Sequence, residues 1–156
     1  MAMHTWFECK IRYEKTMENG MNKKVTEPYL VDALSFTEAE ARIIEEMTPF
    51  ITGEFLVSDI KRANFSELFP CEEEAADRWL KCKLVFITLD EKSGAEKKTS
   101  TQVLVQAADL RDAVKKLDEG MKGTMADYQI ASVAETAIMD VYPYHAEPDD
   151  KPEVQG

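Results

Sequence analysis

The residues whose types and spacing could do chemistry are basic and aromatic, and they recur on one side of two predicted strands. Residues 7, 9, 11 and 13 are apolar or aromatic and alternate with charged residues, which is the period of a half-buried strand. A similar pattern returns at residues 79–86. The side chains that point away from the predicted core are the candidate ligand or interface residues Trp6, Lys10, Arg12, Trp79, Lys81, Lys83 and Val85. Aromatic rings stack on flat groups and lysines meet anionic groups, so this set favours binding.

Tryptophan and aliphatic side chains on an uncovered sheet face need an explanation, because monomers seldom leave large apolar patches in water. Three explanations are open from the sequence. A linker or tail could cover the face. The face could be a self-association surface, since tryptophan is frequent in interfaces. It could also be a ligand face.

The sequence has no pattern typical of a catalytic or metal site. Its two histidines, His4 and His145, lie outside the predicted strands and are expected on the surface. No spacing of His, Cys, Asp and Glu matches a zinc site, and the glycine-rich nucleotide-binding motifs are missing. We therefore predict no catalytic residue, no metal and no cofactor. A small enzyme whose acid/base site assembles only in three dimensions is the alternative.

An internal repeat organises the chain. Trp6, Cys9 and Lys10 match Trp79, Cys82 and Lys83 at one constant offset. Turn glycines, helix starts and a closing proline follow at nearly the same offset. We read two diverged β-β-α-β copies at residues 6–70 and 79–144. Residues 1–5 form an N-terminal extension, 71–78 an acidic linker and 145–156 a disordered acidic tail.

The predicted fold class is therefore α+β. Each copy has a hairpin, a capped amphipathic helix and a long third strand, near 55–69 and 128–142, with a bulge near residues 59–60 and 132–133. We expect the copies to pair into one mainly antiparallel sheet of about six strands, with both helices on one face. Cys9 and Cys82 hold inward positions and are expected in the core.

The net charge limits the classes of binding partner, and the cysteine content indicates the cellular compartment. The formal net charge is −11, which argues against duplex nucleic acid and against an anionic membrane surface. No apolar run is long enough to span a bilayer and no signal peptide is apparent. Three cysteines, an odd count, indicate reduced thiols, so we expect a cytoplasmic protein.

Three segments carry a resemblance to a known family. Residues 6–15, 24–33 and 35–42 resemble an uncharacterised family of short proteins, a domain of unknown function found in Bacteroidales and their phages. The resemblance covers residues 5–144 and transfers no functional residue. If the chain is phage-borne, the resemblance implies a protein that counteracts host defence.

Taken together, these observations predict a non-catalytic binding module that acts as a symmetric oligomer, with a dimer favoured. Its partner would be a protein or a small anionic, nucleotide-like ligand.

Overall fold

The structure, a computed structural model, describes residues 5–124 and 127–143. The two histidines and the predicted acidic tail lie outside these residues. In chain order the described elements are β1 Trp6–Thr16, β2 Asn22–Asp32, α1 Phe36–Met47, β3 Phe55–Ala63, β4 Glu67–Phe69, β5 Arg78–Leu89, β6 Glu96–Ala107, α2 Leu110–Gly120, β7 Asp127–Glu135 and β8 Val141–Tyr142.

The protein is a mixed α+β protein with two separate four-stranded sheets in its described part. The strand order is β3-β1-β2-β8 in one sheet and β4-β6-β5-β7 in the other. The expectation of one continuous six-stranded sheet is therefore wrong. The long third strand expected in each copy is also interrupted, and its last residues form the separate strands β4 and β8.

The chain divides into two compact units that cut across the expected repeat boundaries. Within the described residues, unit 1 comprises 5–63 and 140–143, and unit 2 comprises 64–124 and 127–139. The short strand β8 pairs in parallel with β2 in unit 1, while β4 pairs in parallel with β6 in unit 2. Each unit is thus completed by a strand from the end of the other predicted copy.

Both units have the same arrangement around their central strand. In unit 1, β1 lies between β2 and β3, and in unit 2, β5 lies between β6 and β7, all antiparallel. The register slips after Lys10 in unit 1 and after Lys83 in unit 2, because β3 and β7 each carry one extra residue. The predicted bulges are therefore confirmed. We call two residues, one from each unit, matched when they lie on corresponding strands at the same number of residues from the register slip.

Each helix starts at a side-chain cap and packs an apolar stripe on one face of its sheet. Glu38 N–H donates to the Ser35 hydroxyl at 3.1 Å, and Asp112 N–H donates to the Asp109 carboxylate at 2.8 Å. Beneath α1 lies a core that includes Ile11 and Ile43. The corresponding core beneath α2 includes Leu117. We call the opposite face of each sheet its far face.

Candidate functional site

The far face of unit 2 carries two exposed cations from the predicted set. Lys81 and Lys83 lie two residues apart on β5 and therefore point to the same side of the sheet. Neither ammonium group has a carboxylate within 4.0 Å among the described residues. In a chain of net charge −11, these two lysines form a local excess of positive charge.

The neighbours of these lysines explain why the excess persists. Lys83 lies opposite Gln102 on β6 and Ser132 on β7, and Lys81 lies opposite Leu104 and Ala134. All four neighbouring side chains are uncharged. The strands next to β5 therefore supply hydrogen-bonding and apolar groups but no charge that would neutralise the lysines.

The matched positions of unit 1 face residues of opposite charge instead, although no ion pair within 4.0 Å forms there among the described residues. Lys10 matches Lys83, but it lies opposite Asp59. Glu8 matches Lys81, and it lies opposite Lys61. Opposite charges on facing strands attract, whereas like charges repel. The two far faces thus share a backbone arrangement, but at these two matched pairs the third strand carries an opposite charge in unit 1 and no charge in unit 2.

A shallow cleft of about 360 Å³ adjoins Lys83. Its remaining lining residues are Asn64, Ser100, Thr101 and Gln102, which are all neutral and polar. Amides, hydroxyls and one ammonium group can donate several hydrogen bonds to an anionic group. The cleft is therefore lined by one cation and by neutral hydrogen-bonding groups.

Arg12 lies elsewhere, in a larger cleft of about 540 Å³ in unit 1. That cleft also contains Lys24, but it includes Glu14 and Glu54 as well. Two cations and two carboxylates leave it without net charge. The larger cleft is therefore a weaker candidate for an anion than the smaller one beside Lys83.

The two tryptophans correct the sequence-based expectation of an exposed aromatic face. Trp6 is 4% exposed and Trp79 is 5% exposed, so both indoles are buried within the chain. Strand alternation places them on the far faces, as expected, but those faces are covered at this end. Neither indole is available for stacking on a ligand at the surface of the described chain. Val85 is partly buried on the same row as Lys83.

A tyrosine–carboxylate cluster in unit 1 was missed in the sequence. The buried carboxylate of Glu27 accepts hydrogen bonds from the hydroxyls of Tyr13 and Tyr29, and Lys15 Nζ lies 3.5 Å from its other oxygen. Burial, with the Glu27 hydrogen bond and negative charge, raises the pKa of Tyr13 to about 12. The available signal was Glu27 two residues before Tyr29, because this spacing on a strand places both side chains on one face.

This cluster has no counterpart in unit 2, where Phe86 and Thr101 match Tyr13 and Glu27. The fold therefore forms without it. Its phenols keep their protons at neutral pH, because the causes that shift their pKa values all act upward. Such groups donate hydrogen bonds and do not exchange protons in the neutral range.

Two of the thiols also have raised pKa values. Burial raises the pKa of Cys9 to about 12 and that of Cys82 to about 11, so both stay protonated and are poor nucleophiles. No group of His, Cys, Asp and Glu in the described residues is arranged to hold a metal ion. None of the helices in that part of the chain is long and apolar enough to cross a membrane.

Fold and surface together define a two-unit α+β protein with one cationic far face. The chain belongs to the family described as a domain of unknown function, DUF4494, whose model matches residues 5–144. No curated protein and no solved structure matches the chain.

Proposed function

We propose that this protein is a non-catalytic binding module and that the far face of unit 2 binds a small anionic ligand through Lys81 and Lys83. The observation that carries the proposal is that no acidic residue faces the two lysines across the strands. Where unit 1 sets Asp59 opposite Lys10, unit 2 sets Ser132 opposite Lys83.

The absence of facing acidic residues in unit 2 favours the binding of an anionic ligand there. Lysines on a surface need no partner for solubility, but an anion that docks here meets two ammonium groups and no carboxylate across the strands. Exposed ion pairs contribute about 0.2–1 kcal/mol each, so the two lysines together favour an anion by up to about 2 kcal/mol. The attraction weakens as salt is added.

The proposal includes a common origin for the two units. Equal strand order, matched bulges and matched caps support duplication followed by divergence. One copy then kept opposite charges on facing strands, while the other lost the acidic residues that face its lysines.

The main argument for a symmetric homo-oligomer was a pair of exposed tryptophans. Both indoles are buried, so that argument no longer supports an oligomer. A binding role is also favoured over an enzyme by the protonated thiols and phenols.

The test is native mass spectrometry of protein purified from the cells that naturally make it. Wild-type protein should retain an extra mass of an anionic compound, and the Lys81→Gln, Lys83→Gln double variant should lose it. Lys10→Gln is the matched control, because it removes the equivalent cation from unit 1, and it should retain the mass. The same spectra report the number of subunits.

Two results would contradict the proposal. A wild-type spectrum without any additional mass is the first. The second is an additional mass that the double variant keeps while circular dichroism shows it to be folded.

A further inference from the structure

The row of side chains that carries the two lysines continues into an apolar stretch. Along β5, strand alternation brings Lys81, Lys83, Val85, Ile87 and Leu89 to one face in that order. The first two are exposed cations, while Val85 and Ile87 are partly buried and Leu89 is 69% exposed. The row is therefore cationic at one end and aliphatic at the other.

Unit 1 shows that the fold does not require this aliphatic stretch. The matched residues on β1 are Arg12, Glu14 and Thr16, which are all polar and exposed. The same strand position is therefore stable in water with charged side chains. The three aliphatic side chains of this row contribute to neither helix-side core, so a contiguous apolar stretch is left beside the two lysines.

The borders of the row restrict what can lie on it. Ser100 and Gln129 lie on either side of Val85, and Lys98 and Asp127 on either side of Ile87. The apolar surface is therefore one strand wide. From Val85 to Leu89 it extends over roughly 13 Å at about 3.3 Å per residue. A single extended chain fits such a strip better than a broad protein surface does.

We infer that the ligand of this face is a single-chain amphiphilic anion, whose head group binds Lys81 and Lys83 and whose hydrocarbon chain lies along Val85, Ile87 and Leu89. This inference rests on the proposed function and adds the chemical class of the ligand. Charge complementarity fixes the orientation, because the two lysines of the row are at one end, whereas Lys98 beside Ile87 is faced by Asp127 on the other side of that residue. A free amphiphile is specified, since a chain of net charge −11 is repelled by an anionic bilayer.

The experiment titrates the full-length protein with octanoate, decanoate and dodecanoate, each below its critical micelle concentration. Isothermal titration calorimetry gives the affinity, and backbone amide shifts report the location. Affinity should rise with chain length, by up to about fourfold for each added methylene group. The shifted amides should lie along Lys81–Leu89. Butyrate should bind at least tenfold more weakly than dodecanoate.

Substitutions copied from unit 1 test the apolar end. Ile87→Glu with Leu89→Thr places the residues of β1 at the matched positions, so the strand is expected to fold. This variant should lose at least tenfold in dodecanoate affinity while its butyrate affinity stays within about threefold. Leu34→Thr is the control, because Leu34 is 83% exposed in unit 1, and it should leave dodecanoate affinity unchanged. The double variant Lys81→Gln with Lys83→Gln should lower the affinity for both butyrate and dodecanoate.

The outcomes separate this inference from the proposed function. Equal affinity for butyrate and dodecanoate, lost in the lysine variant, would overturn the amphiphile and leave the anion site intact. Binding to vesicles of phosphatidylglycerol without binding of free dodecanoate would also overturn it. Dodecanoate binding that the lysine variant retains would overturn both the inference and the anion site.

Discussion

The hydroxyl of Tyr13 donates a hydrogen bond of 2.8 Å to Oε1 of Glu27. The two side chains come from neighbouring strands, β1 and β2, and lie on the same face of the sheet as α1. The carboxylate is 9% exposed, so most of its hydration has been replaced by protein partners. This bond links the hairpin of unit 1 at a point where unit 2 has only Phe86 and Thr101.

Removal of that hydrogen bond should destabilise the protein. Tyr13→Phe is expected to lower the free energy of unfolding by about 1–2 kcal/mol, because a buried carboxylate loses a donor. Glu27→Thr introduces the residue that unit 2 carries, and Tyr13→Phe in that background should cost under about 0.5 kcal/mol. Urea melts of the wild type, the two single variants and the double variant measure the coupling energy between the two side chains. Additive effects would show that the pair is not coupled.

Alkaline pH should destabilise the protein through its tyrosines. Burial is the largest cause that raises the pKa of Tyr13 and of Tyr142, in each case from 10.0 to about 12. A raised pKa means that the folded state binds the proton more tightly than the unfolded state. The contribution to stability is therefore complete below pH 10.0 and is lost as pH rises towards about 12.

Denaturant melts across that range, with tyrosinate absorbance recorded in parallel, test the alkaline effect. Cys9 has the same sign of shift, from 9.0 to about 12, and adds to the loss. Tyr13→Phe should shrink the pH-dependent loss, since one of the shifted groups is gone. A variant with the same pH dependence as the wild type would argue that Tyr13 is not among the responsible groups.

Alanine at Gly120 should destabilise unit 2 although it lies at the end of a helix. A Cβ at this position would lie 2.7 Å from Cδ1 and Cε1 of the Phe69 ring on β4. Alanine favours helix by up to about 1 kcal/mol over glycine, whereas overpacking costs about 1–3 kcal/mol. We expect a net loss of about 1 kcal/mol in urea melts. Phe69→Leu should relieve it, and a stabilised Gly120→Ala protein would contradict the contact.

Thiol labelling should distinguish the three cysteines by burial. Cys9 and Cys82 are 0% exposed with raised pKa values, whereas Cys71 is partly exposed. Ellman's reagent should therefore react rapidly with one thiol in native protein and with all three in denaturant. Cys71→Ser should abolish the rapid reaction. Rapid labelling of that variant under native conditions would mean that a core thiol is accessible.

Replacement of Trp79 should damage the fold and not merely a surface. The indole is 5% exposed, so Trp79→Ala is expected to lower the free energy of unfolding by about 3–5 kcal/mol. Lys81→Ala, two residues along the same row, should stay within about 0.5 kcal/mol of the wild type. Urea melts give the free energy of unfolding of each variant and so distinguish a core position from a surface position. A stable Trp79→Ala protein with altered subunit number would restore the interface interpretation.

Local features of this protein could be predicted from its sequence because they depend on neighbouring residues. Ser35 and Asp109 cap helices through groups three residues away, and the apolar stripes that bury Ile43 and Leu117 follow from helical periodicity. The difference between Lys10 and Lys83 is not visible in the lysines alone. It depends on their cross-strand neighbours, Asp59 and Ser132, which only the strand pairing identifies.

Only the tertiary structure decided which strands pair and which faces are covered. Strand alternation puts Trp6 and Trp79 opposite the helices, but it carries no information on what lies beyond that face, and both indoles are buried there. The three residues of β4 and the two of β8 are too short for a local signal. Their parallel pairing with distant strands depends on contacts far apart in the chain, and those contacts separate the protein into two sheets where periodicity alone predicted one.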